Sequence, residues 1–454
     1  MSQNEKCDSI RLIVALPPRQ YFGGNDWQNA LTIVESLRPS FPNIFLFDCD
    51  AYLSDSDAKF AAQMTAARNF QPNVGLSLPN SSYGLILDKR AAYYKKRFRD
   101  YLTFPQHPTP LGNVFADELG VPIIMLWDHL ITHAPQFLLG YAPVQRQESL
   151  PGSLAKLTDG LVRKNFIHYV PDSGHIEVFD RLGVWEPGSV RRYVVPGHNI
   201  FLKDQQEPPN GLIGDRILFV GNLSAGGAIS AYGDDPVVQE IRDYVTQVKC
   251  KDWGTAAWRA YEAIAAQKVA AGIAELHPDH SFFWALGRPL TTDVVLTAFR
   301  TTVFKSLAAP IDFYGGFTDP DFVADLGRSG LFNAMGSVPF EKLGEIYARY
   351  QFAVDITHTP FIHGSNAKVL NCFAAGGFMF VDWKEDLHQE LGALAEEFMY
   401  RSADELNSKI EKLKANPKKR LEIIQAMRLK IANGLNFVAF LSATIRDAAQ
   451  LARN

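Results

Sequence analysis

Short apolar runs recur along this chain, and most of them stop on proline, glycine or aspartate. Residues 11–16 (RLIVAL) run into Pro17-Pro18, residues 215–220 (DRILFV) into Gly221-Asn222, and residues 311–314 (IDFY) into Gly315-Gly316. Residues 43–48 (NIFLFD), 121–127 (VPIIMLW), 166–170 (FIHYV), 352–356 (FAVDI) and 377–381 (GFMFV) have the same form. A continuous apolar run too short for a helix reads as a strand buried on both faces, inside a sheet covered by helices. Residues 83–87 (YGLIL) are expected to give a third strand, and residues 191–195 (RRYVV), before Pro196-Gly197, a late one. Between the runs lie helical stretches. Asp26 is placed to cap a helix reaching Arg38, with Trp27, Ala30, Leu31 and Val34 as its apolar positions, and another helix is expected over 174–182. Strand and helix in alternation predict a parallel α/β sheet.

The alternation runs twice. Residues 201–214 (FLKDQQEPPNGLIG) are polar, with two prolines and two glycines, and read as a linker. The expected organisation is therefore a first α/β domain over 1–204 and a second over 205–434. A last helix, 435–454, is expected to pack back on the first domain. Residues 235–307 break the pattern and predict a helical insertion in the second half; further helices are expected near 339–350 and through the tail from 403. Ligands of such sheets bind at the carboxyl ends of the strands, which points to the cleft between the two domains.

Bulk composition narrows the partners. A net charge of -4 leaves no broad basic field, so nucleic acid is not an expected partner. The four cysteines, Cys7, Cys49, Cys250 and Cys372, are scattered without a CxxC pair, so neither a zinc site nor a disulfide framework is indicated. Reduced thiols in a cytoplasm fit them best. No apolar run approaches the roughly 18 residues that span a bilayer; peripheral membrane contact stays compatible with the sequence.

The stretch 363–382 (HGSNAKVLNCFAAGGFMFVD) holds the densest set of candidate residues. Ser365 or Asn366 can cap a helix whose core face carries Val369, Leu370 and Phe373. The free N–H groups of such a helix end attract anions, Lys368 adds a point charge, and Gly364 permits close backbone approach. Gly376-Gly377 stops the helix and opens the next strand. The same residues equally describe a plain strand–turn–helix unit without a ligand. Asp128 and His129, at the end of the 121–127 strand, are candidates to bind or deprotonate a hydroxyl. His129 and His133 share helical spacing, but no third ligand accompanies them, so a metal site is not expected. Gly23 and Gly24 lie after the first strand, where glycine allows close approach; an ordinary loop explains them as well. His358, in the ITHTP loop, is a candidate for phosphate or sugar contact. His168, His175 and His198 are expected to be structural, and Asp234-Asp235 to cap a helix. The GxGxxG, P-loop and GxSxG patterns are absent.

The block 352–386 resembles the end of the C-terminal domain of GT-B glycosyltransferases. Its LNCFAAGG is similar to the LEAxAxG run of the group 1 families, and FMFVDWKEDL follows as it does in the branch related to the spore maturation protein CgeB. DRILFVGNL, PIDFYGG and VPIIMLWDH resemble further strand–turn segments of the family, so a weak likeness spans residues 80–430. The resemblance implies an α/β protein with two Rossmann-like domains facing a cleft. It implies a retaining, metal-independent transfer of a sugar from a nucleotide diphosphate sugar to a hydroxyl of a glycan, lipid or protein, with no other cofactor. By position, His363 and Gly364 would lie near the sugar and phosphates, and Ser365, Asn366 and Lys368 would hold the diphosphate. Asn371 would face the ribose, and Gly221-Asn222 would form the turn beneath the donor. Two departures stand out. His363 and Asn371 occupy the positions of the family's two glutamates, and the loop 222–227 (NLSAGG) lacks the arginine and lysine of group 1 enzymes. These departures keep two alternatives in view: a non-catalytic GT-B-like binder, which would bind donor without turnover, and a sugar-nucleotide epimerase, which would alter the donor without an acceptor.

Overall fold

The computed structural model describes residues 9–17, 23–49, 57–78, 86–87, 112–127, 166–181, 190–202, 212–223, 235–291, 293–316, 327, 330 and 332–451. In the first half, β1 (Leu12–Leu16), α1 (Gly23–Leu37), β2 (Ile44–Asp48), α2 (Asp57–Phe70) and β3 (Val74–Ser77) follow one another. A small antiparallel pair comes next, β4 (Ile86–Leu87) with β5 (Gly112–Asn113), and then a π-turn over Val114–Glu118. The half closes with β6 (Ile123–Leu126), β7 (Phe166–Val170), α3 (Ser173–Arg181) and β8 (Val190–Arg192). Its six-stranded sheet has the order β2-β1-β3-β6-β7-β8, every pairing parallel. Strands β1, β3, β6 and β7 are buried at every position, as their continuous apolar runs require.

The second half opens with β9 (Ile217–Val220) and a run of helices: α4 (Pro236–Lys251), α5 (Ala257–Ala270), α6 (Ser281–Thr291) and α7 (Asp293–Ser306). Then come β10 (Ile311–Tyr314), β11 (Phe332–Gly336), α8 (Leu343–Arg349), β12 (Ala353–Asp355), α9 (Lys368–Ala374) and β13 (Met379–Asp382). The last elements are α10 (Glu385–Leu391), α11 (Ala393–Glu396), β14 (Met399–Tyr400), α12 (Ala403–Lys414), α13 (Pro417–Asn433) and α14 (Phe437–Leu451). The second sheet has the order β11-β10-β9-β12-β13-β14, again parallel throughout. Counted from β9 this is 3-2-1-4-5-6, the Rossmann order, and its switch point falls between β9 and β12. The architecture is thus two Rossmann-like α/β units with a helical insertion in the second.

Several expectations need correction. The third strand of the first sheet is Val74–Ser77; Ile86–Leu87 instead pairs antiparallel in the separate ribbon. In VGLS, glycine and serine dilute the apolar pattern of a buried strand. Gly75 is required there, since a Cβ would stand 2.9 Å from the Phe115 ring packed over it. Helix α1 begins at Gly23, so Gly23 and Gly24 are helical rather than loop, and Asp26 sits inside the first turn instead of at the cap. The strand expected over 191–195 is Val190–Arg192. The expected boundary at 204/205 lies outside the described residues.

The chain passes between the two halves twice, side by side. Gly197 N–H donates to Leu435 O at 2.9 Å, and Phe437 N–H donates to Gly197 O at 3.1 Å. Asn199 and Asn436 bond side chain to side chain at 3.0 Å. Beyond this crossing, Phe437, Leu441, Ile445 and Ala448 of α14 enter the core formed by Leu12, Val14, Ile124 and Leu126 of the first sheet. The insertion also reaches back. Trp258, Phe283 and Trp284 share a core with Phe166 and Phe179, and Arg181 of α3 pairs with Glu262 of α5 at 2.5 Å.

Candidate functional site

The carboxyl ends of β9 and β12 diverge at the switch point, and the residues that follow them are Gly221-Asn222 and Ile356-Thr357. The first turn is pinned by backbone. Gly221 N–H donates to Tyr314 O at 3.0 Å, Leu223 N–H to Gly316 O at 2.9 Å, and Gly316 N–H to the Asn222 side-chain oxygen at 3.2 Å. Arg300, from α7, lies across the switch point. Its guanidinium donates to Asn222 O and, at 3.4 Å, to Ile356 O, and it faces the Phe219 ring at 5.4 Å. Burial pulls the Arg300 pKa down to about 10, against the opposing pull of Asp355 and Asp382. A sequence scan limited to the loop after β9 finds no cation. The fold supplies one from 78 residues downstream.

Asp355 ends β12 and is fully buried. Lys368 Nζ lies 3.2 Å from its Oδ1, and the Asn366 side-chain amide donates to its Oδ2 at 3.2 Å. Lys368 also stands beside the first turn, since a Cβ on Gly221 would meet its Nζ at 3.4 Å. Asn366 Oδ1 in turn accepts the Lys368 N–H at 2.8 Å. Helix α9 therefore starts at Lys368 with Asn366 supporting its first residue. Ala367 holds the cap position without a side-chain bond, and Ser365 is buried beneath the turn rather than capping. The helix ends as its sequence predicts: Gly376 adopts φ +86°, a left-handed conformation, and Gly377 N–H closes on Cys372 O at 2.9 Å. Asp382, at the end of β13, accepts Thr357 N–H at 2.7 Å and faces Lys384 Nζ at 3.3 Å.

The turn at 362–364 lies against the first half. Asp172, just after β7, is fully buried and accepts N–H groups from both sides of the seam. Gly174 (2.8 Å) and His175 (3.3 Å) donate from the start of α3; Ile362 (2.6 Å) and His363 (3.1 Å) donate from the facing loop. Burial alone would raise the Asp172 pKa. The nearby His175 and the N–H groups of His363, Gly364 and Ile362 outweigh it and hold the carboxyl below its usual value. The seam is tight. A Cβ on Gly364 would stand 2.0 Å from Pro171 O, and one on Gly174 would stand 2.5 Å from Ile362. A reciprocal carboxylate, Asp386, reaches the other way. It accepts Ser173 N–H at 2.8 Å and lies 3.5 Å from Arg192 Nη1. Burial first, then Asp172, raise its pKa against the pull of Ser173 and Arg192.

The candidate residues therefore separate into two groups. Gly221, Asn222, Asn366 and Lys368 converge at the switch point, and His358 follows β12 at the same end of the sheet. His363 and Gly364 belong to the seam. Gly364 packs on Pro171, and this protein contact is enough to require its missing Cβ. The His363 ring is half-buried, its Nε2 3.9 Å from Glu177 Oε1. Asn371, expected on the ribose, is buried, and its side-chain oxygen accepts His198 N–H at 2.8 Å. Gly23 and Gly24 open α1. Asp128, His129 and His133 lie outside the described residues. His168 accepts the Trp127 indole N–H at 3.0 Å, His175 Nε2 is 2.9 Å from Pro360 O, and His198 is enclosed by Phe201, Phe340 and Phe437, all structural settings. Asp235 caps α4 through Val237 and Val238. No group of three or more metal-ligating side chains occurs among the described residues. Nor does any described helix have the length and apolarity to cross a membrane.

The second sheet has the Rossmann order, and Arg300 and Lys368 lie at its switch point. Residues 302–439, which carry β10 to α13, the Asp355, Lys368 and Asp382 positions and the entry to α14, match the family model described as glycosyl transferase-like. No curated protein matches the sequence. Among solved structures the chain is similar to a glycosyltransferase of Rickettsia africae, with 8% identity over 98% of this chain and 100% of that one and a TM-score of 0.48. It is also similar to sucrose-phosphate synthase of Thermosynechococcus elongatus, with 12% identity over 97% and 98% of the two chains and a TM-score of 0.45. A third likeness is to HepE of Anabaena in complex with UDP, with 9% identity over 98% and 99% and a TM-score of 0.44.

Proposed function

We propose that this protein is a GT-B glycosyltransferase that moves a sugar from a nucleotide diphosphate sugar to an acceptor hydroxyl. The observation that carries the proposal is the coincidence of the glycosyl transferase-like segment, 302–439, with the residues that line one side of the Rossmann switch point. In this reading the diphosphate lies over the Gly221-Asn222 turn. Lys368 stabilises the departing diphosphate as negative charge develops on it. The pair of Asp355 and Asn366 holds Lys368 in place and fixes the direction of its ammonium group. The acceptor enters from the side of the first sheet, and closure of the two units excludes water from the reacting carbon. Retention of anomeric configuration, independence from metal, and kinship to the CgeB-related branch follow from the likeness of LNCFAAGG and belong to the same proposal.

The placement of Gly364 and Asn371 changes how the donor is held. Neither is offered to a ligand along the line the family pattern suggests, so the load falls on Lys368 and the β9 turn. A thermal-shift screen against nucleoside diphosphates and their sugars tests this, with Lys368→Ala alongside wild type. A ligand that binds only the folded state raises the melting temperature by mass action. One nucleotide giving a clear shift that Lys368→Ala reduces, followed by transfer to an added acceptor, is the expected result. A shift without transfer or hydrolysis would instead make the protein a donor-binding relative. No shift with any nucleotide would sink the proposal.

A further inference from the structure

Helix α13 packs on the second half through Ile423, Ile424, Met427 and Ile431. Its outer side carries two further leucines that this packing does not use. Leu421 is 43% exposed and Leu429 63%. Among the described residues, Met335 is the one other large apolar side chain left this open. Eight residues of α-helix rise about 12 Å and turn about 80° beyond two full circles, so the two leucines share a face. Gln425 between them, and Ala426 and Ala432 beside them, are exposed and uncharged. The setting of this face is positive. Lys418, Lys419, Arg428 and Lys430 lie on the accessible sides of α13, and Lys412 and Lys414 come from the end of α12. Arg420 is turned inward and donates to Gln351 O at 3.0 Å. The carboxylates among these cations are Glu422 on α13, Glu397 at 3.0 Å from Lys419 and Glu411 at 4.0 Å from Lys414. Lys412, Lys418, Arg428 and Lys430 have no ion pair among the described residues. This surplus of positive charge sits on a chain whose net charge is -4.

We propose that the outer face of α13, with the end of α12, docks on a bilayer surface that carries anionic head groups. Leu421 and Leu429 enter the interface, and the surrounding cations rest among the head groups. Single surface leucines are ordinary, but two on one helical face inside a ring of unpaired cations combine both attractions that hold a peripheral protein to a membrane. Each cation near an anionic surface strengthens binding about fivefold. Lysine and arginine stems lie along apolar surface while their charged ends stay in the head-group layer. Other occupants use less of the face. A second copy of the chain, paired about a two-fold axis, would set one positive face against another. A nucleic acid would leave the leucines idle, and α13 carries no aromatic side chain to stack on a base. The helix runs into the crossing where Gly197 N–H donates to Leu435 O, so docking along α13 holds both halves beside the surface. This docking surface stands whether or not the chain transfers a sugar.

The two attractions separate experimentally. Salt shortens the reach of the cations, from about 10 Å at 0.1 M to about 3 Å at 1 M, and leaves the apolar contribution in place. Insertion of the leucines is read directly from Leu429→Trp, because indole emission moves to the blue when the ring leaves water. The positions involved are exposed or half-buried and serve no packing, so their variants should melt with wild type.

The experiment is flotation of the full chain with vesicles of phosphatidylcholine alone and of phosphatidylcholine mixed with phosphatidylglycerol, at low and high salt. The expected result is binding to the mixed vesicles, little to phosphatidylcholine alone, and loss at high salt. Leu421→Ser with Leu429→Ser should weaken binding about tenfold or more. Lys418→Glu with Arg428→Glu should weaken it more than about twentyfold. Met335→Ser, which removes the exposed apolar side chain on β11, should bind as wild type does, and Leu429→Trp emission should shift to the blue on the mixed vesicles. No binding to either vesicle, or binding that both double variants leave intact, overturns the proposal. Binding lost on charge reversal but kept in the serine variant, with no emission shift, is surface adsorption without insertion and overturns it too. Polyglutamate in place of vesicles should leave the Leu429→Trp emission unmoved; a shift as large as the vesicles give would make an acidic protein the occupant and remove the membrane. None of these outcomes bears on the glycosyltransferase reading.

Discussion

Replacing Asp172 by asparagine would break the seam between the two halves while changing almost no volume. The carboxylate accepts two N–H groups from α3 and two from the facing loop, at 2.6 to 3.3 Å. An amide has one acceptor oxygen. If its NH2 takes the Oδ2 position, it confronts the Ile362 N–H; if it takes Oδ1, it confronts those of Gly174 and His175. At least one buried donor is left facing a donor, which costs about 1–3 kcal/mol. The remaining bonds lose their charge assistance, about 1 kcal/mol each for two or three of them. The total is about 3–6 kcal/mol, concentrated on the loop. The assay is hydrogen exchange of the peptide spanning 359–367. Local opening that is easier by about 3 kcal/mol raises exchange more than a hundredfold. Protection within threefold of wild type would refute the account of Asp172 as the seam's anchor. The neighbouring carboxylate supplies a control of opposite sign. The pKa of Asp386 is raised, so its charge is a liability in the folded state, and protonating it stabilises the fold as pH falls through that raised value. Asp386→Asn should therefore leave protection at 359–367 unchanged or increased.

Three further outcomes follow from named contacts. Gly364→Ala brings a Cβ to 2.0 Å from Pro171 O, where ordinary contact needs more than 3 Å, so the loop must withdraw from Asp172; the melting temperature should drop by several degrees, and an unshifted melt would contradict the close approach. His198 is held neutral by burial, with its pKa brought down to about 3 from 6.5. A folded-state pKa below the unfolded one gives stability that is present above pH 6.5 and lost as pH falls towards 3, about 2 kcal/mol of it by pH 5. Denaturant titrations at pH 8 and pH 5 should show that loss in wild type and a smaller loss in His198→Phe; equal losses would remove His198 as the cause. Asn371→Ala leaves the His198 N–H without its acceptor and should destabilise by about 1–3 kcal/mol in the same titration, with no change in nucleotide affinity; a selective loss of affinity would return Asn371 to the ribose.

The two α/β halves were legible because a strand buried on both faces must be largely apolar at consecutive positions: β1, β6 and β9 are apolar throughout, and β7, β10 and β13 each carry one polar residue. Strands that break this rule were not. Val74–Ser77 carries a glycine that Phe115 needs, Phe332–Gly336 is an edge strand exposed over its last four residues, and Met399–Tyr400 is two residues long. The site divided in the same way. Lys368 and Asn366 are near in sequence to the strand end they serve, so a local motif found them. Arg300 is remote, and on a helix it resembles any solvated basic residue. A signal did exist in the strands. FAVD and MFVD each end an apolar run on an aspartate, and YVPD follows the same plan two residues later. A carboxylate placed at the end of a fully buried strand cannot remain unmatched, so each such aspartate implies donors that the sequence near it does not show. Asp355 is met by Asn366 and Lys368, Asp382 by the Thr357 N–H and Lys384, with Arg300 of the insertion in electrostatic reach of both; Asp172 is met by backbone N–H groups of both halves. The seam role of the turn at His363-Gly364 was not legible for a related reason. A glycine that admits a phosphate and a glycine that admits a neighbouring carbonyl are the same letter, and only the position of Pro171 decides between them.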